Sequence, residues 1–156
     1  MKSMKLRVVC VGKPGRLLAR AIAEYEARAG RYFDLRIVEV KAGRGDPDRV
    51  RRAEEEALLA RLPERSRRFA LTRGGDRIAT RDLAKELRDI ATYGPGTATW
   101  LIGGAFGLSD AVLGRADRRV SLSDLTLPHE LARLVLAEQL YRVGTILRGE
   151  PYHKGG

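Results

Sequence analysis

The stretch TATWLIGGAFGLSD at residues 97–110 runs from an apolar strand through a glycine-rich loop into the start of a helix. A second stretch, RVSLSDLTLPHELARL at residues 119–134, repeats the same order with a loop rich in Ser and Thr. In parallel α/β sheets, polar small molecules bind in the loops that follow the carboxyl ends of the strands. These two loops therefore predict an α/β fold with a small-molecule site at one edge of its sheet.

The rest of the chain alternates between strand-like and helix-like segments in the same way. Asp46 and Pro47 form a good N-cap and first helical residue for the second helix, and Thr80 is expected to cap the third. The order favours a mostly parallel sheet with helices on both faces. We predict strands at residues 5–11, 34–40, 68–72, 97–102 and 119–122, and helices at residues 17–28, 48–62, 81–92, 109–115 and 128–147.

Length and composition limit the class of protein. With 156 residues, of which 44% are hydrophobic and 32% charged, the chain suits a single domain over residues 1–156. No apolar run approaches the roughly 20 residues of a membrane span, and the N-terminus lacks the apolar segment of a signal peptide. We therefore expect a cytoplasmic protein with no membrane partner. The single cysteine, Cys10, is expected to be a small buried core residue.

The chain is basic, with 30 Lys and Arg against 20 Asp and Glu and a net charge of +10. Most of the cations are arginines, whose planar guanidinium suits phosphate, so a nucleic-acid partner is favoured. The candidate contact is the segment 41–52, which contains Arg44, Arg51 and Arg52. A solvated helix start with paired charges would explain the same residues, and both interpretations stay open.

Each of the two loops allows a functional and a purely structural interpretation. Gly103 and Gly104 would let the backbone approach a ligand closely, or they would simply form a tight turn. Ser121, Ser123 and Thr126 would either face a ligand or satisfy backbone groups ahead of the last helix. The glycine loop does not have the spacing of a dinucleotide-binding fingerprint, and the chain has no P-loop.

The closing helix carries an ion pair where its apolar stripe is expected to continue. Leu131, Leu134 and Val135 define that stripe, and the helical period extends it to Glu138 and Arg142. This pair is either an ordinary i,i+4 pair at a helix edge, or part of a face that meets a second subunit or a charged substrate.

Several runs resemble the bacterial ribosomal RNA large subunit methyltransferase H family, which belongs to the SPOUT class. They are KAGRG (41–45), LIGGAFGLS (101–109), SLSDLTLPHELARLVLAEQLYR (121–142) and the terminal PYHK (151–154), and the likeness extends over essentially the whole chain. The resemblance implies a homodimer that transfers a methyl group from S-adenosyl-L-methionine to N3 of a pseudouridine in 23S rRNA. It implies RNA rather than DNA as the partner, with the assembled ribosome favoured as substrate, and a C-terminal trefoil knot.

The resemblance also implies the site residues. It places the cofactor contacts on Leu71, Gly103, Leu122, Ser123, Asp124, Leu125, Thr126 and Leu127. The catalytic surroundings would include Arg142, Tyr152 and His153, with the tail over the neighbouring subunit's cofactor. The chain departs from the family's pattern at Thr72 and Asp76, where the family usually has Asp and Lys, so a role for a Lys at position 76 is lost.

We expect a direct in-line displacement at the sulfonium methyl, without a metal or a covalent enzyme intermediate. The N3 proton must leave before or during attack, and the candidate acceptors are His153, Glu138 and bulk water. His129 is expected to be structural or to face the substrate. The alternatives are a ribosome-associated RNA-binding factor that does not catalyse and a Rossmann-type nucleotide-binding enzyme, which the missing fingerprint disfavours.

Overall fold

The computed structural model describes residues 4–153 and, at His153, only the backbone. Of the helices in this range, none is long and apolar enough to cross a membrane. The elements in chain order are β1 (Lys5–Val11), α1 (Arg16–Ala29), β2 (Asp34–Val40), α2 (Pro47–Leu59), β3 (Arg67–Arg77), α3 (Thr80–Tyr93), β4 (Thr97–Ile102), α4 (Asp110–Gly114), β5 (Arg118–Ser121), α5 (His129–Leu147) and a final 3-10 turn, η1 (Pro151–His153).

The five strands form one sheet in the order β2-β1-β4-β3-β5, and every pair of neighbours is parallel. The predicted α/β class and parallel sheet are confirmed. Because all strands point the same way, the loops after β4 and β5 emerge at one edge of the sheet. This edge is where the sequence predicts a small-molecule site.

Side chains that alternate along the strands are buried on both faces of the sheet. In β1, Leu6 and Val8 join a core with side chains of α3 and α5, whereas Val9 and Val11 join a second core with side chains of α2 and α4. Helices therefore cover both faces, as predicted. Cys10 is 2% exposed and belongs to the first core, which confirms it as a buried core residue.

The third strand is longer than predicted, and its loop is a bulge within the strand. Leu71 and Asp76 both pair with Val120 of β5, so residues 72–75 loop out of the ladder. A Cβ at Gly75 would lie 2.6 Å from the backbone of Arg119, which requires glycine at the base of the bulge. The expectation of a strand ending at residue 72 was wrong, because pairing with β5 resumes after the bulge.

Two predicted helix caps had different outcomes. The Asp46 carboxylate accepts a hydrogen bond from the backbone nitrogen of Arg49 at 3.0 Å, and Pro47 is the first helical residue, as predicted. The Thr80 cap was wrong, because α3 starts one residue earlier with Ala79 as its N-cap. The Thr80 hydroxyl instead hydrogen bonds to Gln139 Oε1 of α5 at 2.7 Å.

The buried stripe of α5 also differs from the predicted one. Leu131, Leu134 and Val135 are only half-buried. The buried residues of the helix are Arg133, Leu136, Ala137, Leu140, Val143, Gly144 and Thr145. The periodicity was misread because the true stripe includes an arginine, a residue type that is almost never buried unless it is paired.

Candidate functional site

A cavity of about 270 Å³ opens where the β3 bulge meets the loops after β4 and β5. Its size is close to the lower end of the roughly 300–1,000 Å³ that is usual for small-molecule sites. The structure brings together at its wall most of the side chains predicted to contact the cofactor: Leu71, Gly103, Leu122, Ser123, Leu125, Thr126 and Leu127. His129, at the start of α5, also lines it.

The glycine loop is a tight turn that also forms part of the cavity wall. A Cβ at Gly103 would lie 2.7 Å from the carbonyl carbon of Gly107, and Gly107 itself has φ +77°. The Gly107 nitrogen donates to the carbonyl oxygen of Gly104 at 3.1 Å, which closes the turn. The two interpretations of these glycines are therefore compatible, since the turn that needs them lies against the cavity.

The polar side chains of the second loop mostly serve the loop itself. The Ser121 hydroxyl donates to the carbonyl oxygen of Ser123 at 2.8 Å, and the Ser123 hydroxyl accepts from the Leu125 nitrogen at 2.9 Å. Asp124, predicted as a cofactor contact, pairs with Arg77 at 3.0 Å on the surface and is not part of the cavity wall. The loop therefore presents chiefly backbone groups and leucine side chains to a ligand.

Arg73 is a residue that sequence reasoning missed. It lies in the β3 bulge, is exposed and lines the cavity. Within residues 4–153 it makes no ion pair, and the cavity wall includes no carboxylate. An arginine in the TRGGD segment was the available signal, but only the bulge turns it towards the site.

The predicted catalytic residues form a separate cluster on α5 and η1. Glu138 Oε1 accepts from Arg142 Nε at 3.0 Å, from Arg142 Nη2 at 2.7 Å and from the Tyr152 hydroxyl at 3.1 Å. The Arg142 guanidinium lies 4.9 Å from the centre of the Tyr152 ring, close enough for a cation–π contact. Burial and the neighbouring Glu138 raise the pKa of Tyr152 to about 12, so its hydroxyl is protonated at neutral pH.

The two predicted sets do not meet within one chain. The described wall of the cavity contains none of the three cluster residues Glu138, Arg142 and Tyr152. The side chain of His153 lies outside the described residues. The described part of the chain therefore presents the cavity and the cluster as two separate features.

A buried charge cluster behind the site was also missed. Arg133 donates to both carboxylate oxygens of Glu26, at 2.8 and 3.1 Å, and to Glu39 at 2.6 Å. Burial opposes the charged form of Arg133, but the hydrogen bonds to Glu26 and Glu39 outweigh it and raise the pKa. Burial likewise raises the pKa of Cys10 to about 11, although Arg133 opposes this. The thiol is therefore protonated at neutral pH and is a poor nucleophile.

The basic segment at residues 41–52 is partly paired. Arg51 forms an ion pair with Asp48 at 2.8 Å, whereas Arg44 and Arg52 are exposed and make no ion pair within the described part of the chain. Glu54, which is 3% exposed, accepts from the Gly43 nitrogen at 2.9 Å and so holds the segment to α2. Both interpretations of this segment therefore retain support.

Comparison with known proteins gives matches over the whole described length. A family model described as a predicted SPOUT methyltransferase matches residues 4–153. A ribosomal RNA large subunit methyltransferase H from Gemmatimonas aurantiaca is 46% identical over 155 residues, covering 97% of this chain and 100% of the relative. Proteins of the same name from Limosilactobacillus reuteri and Listeria monocytogenes are each 42% identical over 159 residues, with the same coverage.

Proposed function

Because the chain belongs to the ribosomal RNA large subunit methyltransferase H family of SPOUT methyltransferases, we propose that it methylates N3 of a pseudouridine in 23S rRNA. The chain is a methyltransferase that uses S-adenosyl-L-methionine. The observation that carries the proposal is the cavity between the β3 bulge and the ends of β4 and β5, lined by the segments that the family resemblance assigns to the cofactor.

The cavity wall fits this cofactor. Leu71, Leu122 and Leu127 supply apolar surface for the adenosine portion. At the glycine turn the backbone packs closely on itself, since a Cβ at Gly103 would lie 2.7 Å from Gly107, so this part of the wall presents backbone rather than side chains to a ligand. The internal hydrogen bonds of Ser121 and Ser123 hold the second loop in one shape before any ligand arrives, which reduces the entropy lost on binding.

The contacts within the catalytic cluster limit which group can accept the N3 proton. Bound S-adenosyl-L-methionine supplies an electrophilic methyl group on a positively charged sulfur. Both oxygens of Glu138 already accept hydrogen bonds, from Arg142, Tyr152 and Gln139, so Glu138 serves better to orient Arg142 than to take a proton. Tyr152 is protonated at neutral pH and acts as a hydrogen-bond donor. His153 or water remains as the acceptor of the N3 proton.

We propose that the active site is completed across a homodimer. Arg142 and Tyr152 lie outside the cavity of their own chain, and Leu125 at the cavity is 75% exposed in the single subunit. A partner's cluster placed over the cavity would cover Leu125 and bring the reacting groups to the cofactor. We also propose the C-terminal trefoil knot that the family resemblance implies. Tracing the backbone path in an experimental structure would test it.

The experiment that tests the function combines binding and mapping. Calorimetry with S-adenosyl-L-methionine should show saturable binding near one site per subunit. Mass mapping of 23S rRNA from cells with and without the protein should show one methylated pseudouridine that depends on it. Ribosome binding without cofactor binding would instead indicate the non-catalytic RNA-binding factor.

We also propose that the segment 41–52 contacts the RNA through Arg44 and Arg52, the arginines that are left unpaired there within the described residues. Replacing both with Glu should weaken ribosome binding and reduce the slope of log affinity against log salt, by about one for each phosphate that is no longer neutralised. Arg51→Glu, at a charge already paired with Asp48, should have the smaller effect. Filter binding at several salt concentrations measures this, and an unchanged slope would remove the segment from the interface.

A further inference from the structure

Arg73 is a charged side chain at the cavity with no role in the proposed reaction. The register shift between Leu71 and Asp76 lifts it out of the β3–β5 ladder, and the close packing of Gly75 against β5 fixes the base of the bulge. The position is therefore set by the backbone of the sheet rather than by a mobile loop.

The surroundings leave the guanidinium without a counter-charge. The nearest acidic residue in sequence is Asp76, which is exposed on the paired part of β3, and Asp124 in the loop after β5 pairs with Arg77. Neither carboxylate lines the cavity, and across residues 4–153 no ion pair includes Arg73. An anionic group that enters the cavity would meet Arg73 as its one permanently charged partner among the described wall residues.

The other polar side chains of the described wall are weaker partners for an anion, because none of them carries a permanent positive charge. The Ser121 and Ser123 hydroxyls are engaged within their own loop. His129 is a weaker candidate because an imidazole ring cannot offer the two parallel N–H donors of a guanidinium. An arginine can bind a carboxylate through two parallel hydrogen bonds, which also fix the orientation of the carboxylate.

We propose that Arg73 binds the α-carboxylate of the cofactor's amino-acid portion and so selects S-adenosyl-L-methionine over related nucleosides that lack this group. The inference rests on the proposed function, which supplies the cofactor. The carboxylate is favoured over an RNA phosphate because Arg73 shares one cavity wall with Leu71, Gly103 and Leu122.

The test compares two ligands that differ only in the carboxylate. S-adenosyl-L-methionine and its decarboxylated form are titrated by calorimetry into the wild-type protein and into Arg73→Met, Arg73→Lys and Arg81→Met. Arg81 is an exposed arginine outside the cavity wall and serves as the matched control.

The wild type should bind the complete cofactor more tightly. Arg73→Met should lose about 5- to 30-fold in affinity for it, the effect of one or two kcal/mol, and almost none for the decarboxylated form. Arg73→Lys should recover part of the loss, and Arg81→Met should behave as the wild type.

Three results would overturn the assignment. An equal loss for both ligands would mean that Arg73 only shapes the cavity. Unchanged affinity of Arg73→Met for both ligands would show that Arg73 does not bind the carboxylate, and weaker ribosome binding by the same variant would then assign it to an RNA phosphate. Binding of neither ligand by the wild type would refute the proposed function itself, a failure that is distinct from the other two.

Discussion

Gly103 shows how a single missing side chain shapes the site. A Cβ there would lie 2.7 Å from the backbone of Gly107, and backbone of this kind does not give way cheaply. The clash would force the turn open at the wall of the cavity. Position 103 therefore ties the fold of the loop to ligand binding.

We predict that Gly103→Ala weakens S-adenosyl-L-methionine binding at least about tenfold and lowers the melting temperature, since overpacking typically costs roughly 1–3 kcal/mol. Gly114→Ala is the matched control, because nothing lies within 4 Å of its added Cβ and it is a helical residue of α4. The control should bind normally and melt at the same or a higher temperature. Normal binding by Gly103→Ala would show that the turn can relax. Calorimetry and thermal melts measure both effects.

Cys10 gives a prediction about pH. Its pKa is about 11 when folded and 9.0 for an ordinary thiol. Between pH 9 and pH 11 the folded protein therefore keeps the thiol proton, whereas the unfolded chain loses it. The contribution of Cys10 to stability is complete below pH 9 and is lost as the pH rises to 11. The loss is at most about 3 kcal/mol. Urea unfolding between pH 7 and 10.5 should show a steeper alkaline decline for the wild type than for Cys10→Ala. Equal slopes would contradict the prediction.

For single residues, the sequence predicted which residues line the cavity better than it predicted what each side chain does there. Gly103, Leu122 and Leu127 were predictable, because loops after parallel strands converge on one edge and the family resemblance identifies those loops. The roles of Ser121 and Ser123 were not, since a hydroxyl can serve its own loop or a ligand and only the distances decide. Whether the predicted contacts bind the cofactor stays a prediction.

Among the elements, α5 is held by a charge cluster rather than by apolar packing alone. Arg133 joins α5 to Glu26 of α1 and to Glu39 of β2, and its side chain is only 10% exposed. Burying such a group is costly unless its partners remain, so the cluster fixes the position of α5 on the sheet.

We predict that Arg133→Met destabilises the protein by roughly 3 kcal/mol, because it leaves two carboxylates without their cation. Glu26→Gln should cost more than Glu39→Gln, since Glu26 makes two of the hydrogen bonds and is the less exposed carboxylate. Arg36→Met, at a side chain on β2 that is 70% exposed, is the control and should stay within about 0.5 kcal/mol. Urea unfolding measures all four. A neutral Arg133→Met would show that apolar packing alone holds α5.

The two wrong predictions about secondary-structure elements, the end of β3 and the buried stripe of α5, have the same cause. The continuation of β3 beyond its bulge depends on pairing with β5, more than 40 residues later in the chain, and local pattern does not contain that information. The buried stripe of α5 was misplaced because Arg133 counts as a surface residue until Glu26 and Glu39 are seen beside it. Long-range partners decided both cases.

At the scale of the whole molecule, the separation of the cavity from the Glu138–Arg142–Tyr152 cluster is the main constraint on mechanism. If two subunits complete each site, a variant with a damaged cavity still carries an intact cluster, and a variant with a damaged cluster still carries an intact cavity. Two variants that each have low activity at a cofactor concentration below the wild-type Kd would then restore each other when mixed, which no arrangement within one subunit allows.

We predict this restoration for Gly103→Ala mixed with Arg142→Ala, after subunit exchange or coexpression. Random pairing makes half of the dimers mixed, and each mixed dimer has one intact site of two, so activity should reach about a quarter of the wild-type value. Methyl transfer to ribosomes from labelled S-adenosyl-L-methionine measures it. Light scattering should give twice the 17.3 kDa mass of the chain, and Arg142→Ala alone should still bind the cofactor. A mixture no more active than its components, with exchange verified by mass spectrometry, would place the cavity and the cluster of one site in the same subunit.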